Sequence, residues 1–131
     1  MIVDSSALVA ILLGEPDGQA FAAAIDQSAS AGIAAPNVVE AAMVLVGRVG
    51  PAANTMLDEF LTVAEIRTVP FTADHAAVAR QAFLRYGKGR HAAGLNFGDC
   101  IAYATAKLEQ MPLLFKGDDF RRTDVEPALP S

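Results

Sequence analysis

Five carboxylates in this chain stand beside apolar segments, where acids rarely sit without a purpose. Asp4 follows the run Met1-Ile2-Val3, and Glu40 lies between Val38-Val39 and Ala41-Ala42-Met43. Asp99 opens the stretch Cys100-Ile101-Ala102, and Asp118-Asp119 come just after Leu113-Leu114-Phe115. An unpaired carboxylate next to a buried element is costly or gives up its ionisation. A divalent cation shared among several carboxylates removes that cost. Ligands that are all oxygen suit a hard ion, Mg²⁺ with Mn²⁺ as a substitute. The chemistry such an ion offers is hydrolysis of phosphodiesters, by polarising the phosphoryl oxygen and supplying hydroxide. Zinc is a poor fit. His75 and His91 have no partner at metal spacing, and Cys100 is the lone cysteine. Paired carboxylates also hydrolyse sugars, but a chain with no tryptophan and 7% aromatic residues has little from which to line a sugar cleft.

Each acid also has a plainer reading. Asp4 is a favoured helix-cap residue. Asp99 suits the positive end of a helix dipole. Asp118 and Asp119 are ordinary turn residues next to Gly117. Glu40 resists such an explanation, because its neighbours leave it no broad polar face. The four placements together favour a site over four separate coincidences.

The elements that must position these acids can be read from periodicity and punctuation. Met1 to Val3 forms a short buried strand, and Ser5 or Ser6 caps a helix over Ala7 to Leu13 that stops at Gly14. Glu15-Pro16-Asp17 starts a second helix. Gly32 to Ala35 is a second strand, Pro36 to Val49 an apolar helix closed by Gly50, and Ala52 to Val63 a further helix. Ile66 to Val69 is a third strand, followed by a helix from Ala73 to Tyr86 capped by Thr72. Gly87 to Gly94 is a loop, Gly98 to Gln110 a helix, and Leu113 to Phe115 a fourth strand. Thr123-Asp124-Val125 offers a fifth strand at an edge. Alternating strands and helices predict an α/β chain, with a central parallel sheet of four to five strands wrapped on both faces. In such sheets ligands bind beyond the carboxyl ends of the strands, which is where Asp4 and the Asp118-Asp119 loop fall. The length of 131 residues, without repeats or linkers, predicts one domain over 1–131.

Composition narrows the class. The chain is 53% hydrophobic with a mean hydropathy of +0.33, rich enough for a core without disulfides. No stretch is long enough to span a bilayer and no signal peptide precedes Asp4. The single cysteine fits a reducing, cytoplasmic setting. A net charge of -5 argues against a nucleic-acid coating protein but not against a nuclease. Local basic charge does occur: Arg85, Lys88, Arg90 and His91 cluster in and before the glycine-rich loop, and Lys116, Arg121 and Arg122 flank the last acids. A polyanion crossing a carboxylate site needs such charge on either side; the plainer reading is a solvated loop. Tyr86 or Phe97 could stack on a base, although packing is the simpler role for both.

Assembled in order, these segments resemble PIN-domain proteins, and in particular the VapC-type toxins of bacterial toxin-antitoxin modules. The resemblance runs from Met1-Ile2-Val3-Asp4-Ser5-Ser6-Ala7-Leu8 nearly to the tail. Its most specific blocks are Tyr86-Gly87-Lys88-Gly89-Arg90-His91 through Gly98-Asp99-Cys100, and Leu113-Leu114-Phe115-Lys116-Gly117-Asp118-Asp119-Phe120. It implies a three-layer α/β/α PIN-like fold and a Mg²⁺-dependent endoribonuclease that silences translation. By motif position it implies that Asp4, Glu40 and Asp99 form the acidic metal-binding core, with Asp119, or the adjacent Asp118, as the last acid. Ser6 and Asn96 match supporting polar positions, and Lys88, Arg90, His91 and Lys116 would meet RNA. It further implies a homodimer, held in a hetero-oligomer by a small VapB-type antitoxin whose arm covers the catalytic groove. Two readings from other classes stand beside it: a non-catalytic PIN-like module that binds RNA or protein, and a metal-dependent DNA nuclease or phosphatase on the same scaffold.

Overall fold

The structure, a computed structural model, describes residues 1–130, so the last position of the expected domain, Ser131, lies outside the described residues. Four strands form one parallel sheet: β1 (Ile2–Val3), β2 (Ala31–Ala34), β3 (Ile66–Val69) and β4 (Leu113–Leu114), in the order β3-β2-β1-β4. Ile2 sits in register with Gly32 on one side and Leu113 on the other. Among the described residues, six helices connect them: α1 (Ser5–Leu12), α2 (Gly18–Gln27), α3 (Ala35–Val49), α4 (Ala52–Val63), α5 (Ala73–Tyr86) and α6 (Phe97–Glu109). The chain leaves β1 toward β2 on one side and returns to β4 on the other. This reversal of direction opens a crevice beyond the end of β1.

Strand periodicity divides the core between two faces. Ile2 and Leu113 face one cluster, with Tyr86, Leu95, Tyr103 and Phe120, under α5 and α6. Val3 and Leu114 face the other, with Leu8, Ile33, Leu45 and Leu57, under α1, α3 and α4. Helices therefore cover both faces, which gives the three layers expected. Among the described residues no helix is long and apolar enough to cross a membrane.

Three expectations need correction. The cap of α1 is Asp4 rather than Ser5 or Ser6, and both serines lie inside the helix. The helix begins there because Asp4 leaves β1 in extended geometry and its Oδ2 accepts the Ser6 amide at 3.1 Å. The second helix starts later than its acids and proline suggested, at Gly18, and Asp17 makes no side-chain capping bond. Gly18 has a packing reason to be glycine, since a Cβ there would stand 2.7 Å from the Ala10 carbonyl oxygen. Finally, Thr123-Asp124-Val125 is not a strand. The tail instead makes one isolated bridge, Leu113 to Pro127, with Leu113 N–H donating to Glu126 O and Ala128 N–H donating to Leu113 O, both at 2.8 Å. Pro127 and Pro130 lack the N–H groups needed to extend that ladder. A 3-10 turn, Asp119–Arg122, also replaces what sequence left as loop.

Candidate active site

Three helix N-terminal regions meet beyond the sheet: the cap of α1 with Asp4, the second turn of α3 with Glu40, and the first turn of α6 with Asp99. Their charges act on one another. Asp4 is almost wholly buried, and burial raises its carboxyl to about 7; bonds from Ser6 oppose the rise, while Asp99 and Glu40 add to it. Asp99 is raised as well, first by burial and then by the charges of Asp119 and Glu40, against a lowering bond from Asn96. Sequence positions 4, 40, 99 and 119 thus share one electrostatic neighbourhood. Asp118 exerts no comparable influence. It lines a shallow groove with Asp17, Phe21 and Arg121 instead.

The three inner carboxylates are held by the same device. Each gives one oxygen to a protein donor and keeps the other without a protein partner. Asp4 Oδ2 accepts from the Ser6 amide at 3.1 Å and from Ser6 Oγ at 2.5 Å, whereas its Oδ1 is buried with no partner. The Lys116 amide donates to Ser6 Oγ at 3.0 Å, so the loop after β4 fixes the hydroxyl that fixes Asp4. Asp99 Oδ2 accepts from the Asn96 amide at 3.0 Å, and Asn96 Oδ1 accepts from the Asp99 amide at 2.9 Å, a reciprocal capping box. Glu40 Oε1 accepts from Ser5 Oγ at 2.7 Å and from Asn37 Nδ2 at 3.1 Å. The Glu40 carboxylate lies against Gly98, where a Cβ would come within 2.6 Å of its carboxyl carbon.

These observations decide whether a cation fits. A fully buried carboxylate oxygen without a donor is a costly feature, and like charges gathered in a low-dielectric crevice call for a positive partner. The donors on offer are all carboxylate oxygens, matching Mg²⁺ or Mn²⁺. Among the described residues, no three Asp, Glu, His or Cys side chains close tightly enough to enclose an ion by themselves. Mg²⁺ is commonly bound through one or two carboxylates together with retained waters. Cys100 is no competing ligand, because burial and the Asp99 charge push its thiol up to about 11.

The basic residues behave less uniformly than the sequence suggests. Lys88, Arg90 and His91 are exposed on the loop after α5. Arg90 Nε donates to Leu84 O at 3.3 Å, and the His91 ring packs edge-on against Tyr86. Arg122 donates to Ala92 O at 3.3 Å, which ties this loop to the 3-10 turn carrying Asp119. Lys116 turns away from any polyanion: its ammonium pairs with Glu15 at 2.7 Å and Asp17 at 3.6 Å. Tyr86 is core, as the simpler role required. Phe97 is not, being 80% exposed between Asn96 and the acids. Sequence reasoning missed Ser5, Asn37 and Gly98. Asn37 had a detectable signal: it is the one amide on an otherwise apolar turn, three residues before Glu40.

Comparison with known proteins bears on the family and the fold. The PIN domain family matches residues 1–126. Ribonuclease VapC36 of Mycobacterium tuberculosis is 50% identical over 127 residues, covering 96% of this chain and 91% of that protein. Ribonuclease VapC of Mycolicibacterium smegmatis is 46% identical over 125 residues, covering 95% and 97%. The crystal structure of Mycobacterium tuberculosis VapC20, described as a toxin cleaving the sarcin-ricin loop, superposes with a TM-score of 0.73 over 96% of this chain and 98% of that one, at 18% identity. A toxin-antitoxin complex from Klebsiella pneumoniae follows at a TM-score of 0.66 and 19% identity, over 91% and 88%. At such identities the two structures speak for the fold, while the close relatives and the family match carry the assignment. The chain belongs to the PIN-domain family, among the VapC ribonucleases.

Proposed function

We propose that the chain is a Mg²⁺-dependent endoribonuclease toxin, acting as one PIN domain and silenced by a small VapB-type antitoxin. The observation that carries the metal reading is the buried, partnerless Asp4 Oδ1, set in the shared field of Glu40 and Asp99. Asp4, Glu40 and Asp99 would hold the ion. Asp119 completes the set from the 3-10 turn and is preferred to Asp118, because its charge is the one that reaches Asp99. When bound, Mg²⁺ supplies Lewis acidity at a phosphoryl oxygen and a nucleophile at neutral pH.

The chain's own groups do the positioning. Ser6 and Asn96 fix Asp4 and Asp99 through bonds to one oxygen each. Lys88 and Arg90 offer positive charge, and His91 a polar ring, to an RNA backbone from the loop that Arg122 ties to the turn of Asp119. Lys116 contributes through its main-chain amide and leaves its ammonium to Glu15. Neutralisation by an antitoxin bearing basic side chains suits the acidic crevice and the net charge of -5. A homodimer and a cytoplasmic setting complete the reading; the lone buried Cys100 is compatible with a reducing compartment. A non-catalytic module is disfavoured, since every acid of the expected core is present.

The test is RNA cleavage by the purified chain, with chelator and with Mg²⁺ restored. Cleavage should need the ion. Asp4→Asn and Asp99→Asn should each lower kcat by about 10²–10³-fold, the scale on which losing a group that stabilises transition-state charge acts. Both should keep the wild-type circular dichroism spectrum. Folded variants that cut RNA at full rate would reject this site.

A further inference from the structure

We infer that Asn37, assisted by Ser5, is the positioning residue for Glu40, sorting its carboxylate into one oxygen held by the protein and one presented to the cation; this rests on the metal reading above. Asn37 is 1% exposed. Its Nδ2 donates twice, to Glu40 Oε1 at 3.1 Å and to Gly98 O at 3.1 Å. Both acceptors are oxygens that cannot donate, so the amide can face only one way. The consequence is that Oδ1 is buried without a partner. A side chain placed only to fill space would carry no such orphan. Asn37 tolerates it because its nitrogen joins α3, which carries Glu40, to α6, which carries Asp99.

Ser5 approaches the same Oε1 from α1, at 2.7 Å. Two neutral donors from two helices therefore converge on one oxygen of Glu40. No hydrogen bond from the protein reaches Oε2 among the described residues, and Gly98 leaves room for it. The hold on Glu40 thus differs from that on Asp4 and Asp99, whose fixed oxygens each accept at least one main-chain amide. Asn37 and Ser5 can be removed without altering either helix cap.

The test measures Mn²⁺ affinity by titration calorimetry on the full chain without RNA, together with kcat and KM for RNA cleavage, in Asn37→Ala, Ser5→Ala, Glu40→Gln and the double variant of Asn37→Ala with Glu40→Gln. Loss of a group that orients a metal ligand costs about 10–100-fold in affinity. Asn37→Ala should show that loss, and Ser5→Ala a smaller one in the same direction. In both, kcat should fall while KM for RNA holds. In the Glu40→Gln background, Asn37→Ala should weaken Mn²⁺ binding no further, because its effect runs through Glu40. An equal loss in both backgrounds would overturn the inference, as would wild-type affinity in a folded Asn37→Ala protein. If Asn37→Ala does not fold, Ser5→Ala decides, and unchanged Mn²⁺ affinity there overturns the inference. If Glu40→Gln itself leaves Mn²⁺ affinity intact, Glu40's place at the metal falls, a separate failure.

Discussion

The starts of α1 and α6 solve one problem in a way that the second turn of α3 does not. Asp4 and Asp99 each accept a main-chain amide, from Ser6 on one, where the Ser6 hydroxyl adds a shorter bond, and from Asn96 on the other. Part of their orientation therefore comes with helix initiation itself. Glu40 sits inside a helix, where main-chain donors are already spent. It relies on side chains instead, Asn37 one turn earlier on α3 and Ser5 from α1, and leans on a glycine of a third element, α6. Acids placed at helix starts are robust to mutation around them; an acid placed mid-helix depends on its neighbours.

The largest effect that would sharpen this contrast is expected from Gly98→Ala. The new methyl would strike the Glu40 carboxylate, the movable end of a flexible side chain, so Glu40 gives way and the fold does not. Alanine also favours a helix over glycine by about 1 kcal/mol. The expected outcome is a melting temperature at or above wild type with RNA cleavage down by about 10–100-fold. A stable, fully active Gly98→Ala protein would mean that Glu40 needs no cradle.

Next comes the dependence of stability on pH. The folded chain raises the Asp4 carboxyl from 3.8 to about 7. Between those values the folded state binds more protons than the unfolded one, so stability falls as pH rises through the window, and the loss is complete above about pH 7. Thermal melts of the metal-free protein should show this decline. Asp4→Asn keeps a good helix cap and should make the decline shallower, with Asp99 supplying the slope that remains, leaving the inactive variant the more stable one at neutral pH. A slope unchanged by Asp4→Asn would place the titration elsewhere.

The smallest effect on activity is expected at Asn96. Asn96→Ala removes the side-chain cap of α6, which costs about 0.5–2 kcal/mol, but the main-chain amide that holds Asp99 remains. Denaturant melts should register the loss while kcat stays within about twofold, a difference of only about 0.4 kcal/mol in barrier. A collapse in kcat would show that Asp99 depends on a side chain after all, and the contrast with Glu40 would dissolve.

What could be read without coordinates follows from where each determinant lies along the chain. Ala52–Val63, Ile66–Val69 and Ala73–Tyr86 fall where punctuation placed them, because Pro51, Pro70 and Thr72 act locally. The acids themselves were legible as charges set among apolar residues. Of the contacts that orient Glu40, the Asn37 bond had a local signal, whereas Ser5 and Gly98 lie 35 and 58 positions away in sequence and nothing local signals them. Asp4 was legible as a cap, but composition could not choose between it and the two serines that follow, each an adequate cap. Lys116 read correctly as basic and wrongly as available, because Glu15 and Asp17 reach it from about a hundred residues away. The edge strand failed because Thr123 turns its hydroxyl onto Phe120 O and the Val125 amide, a local bend that composition does not reveal.

The bare oxygen of Asp4 has a practical outcome for anyone handling the protein. A cation held by Asp4 would bind the folded chain and not the unfolded one, so ion supply and conformational integrity become linked quantities, related by mass action. Preparations stripped by chelators should age faster and yield sooner to proteases than those kept in millimolar magnesium, so a simple digestion assay can gauge how full the crevice is.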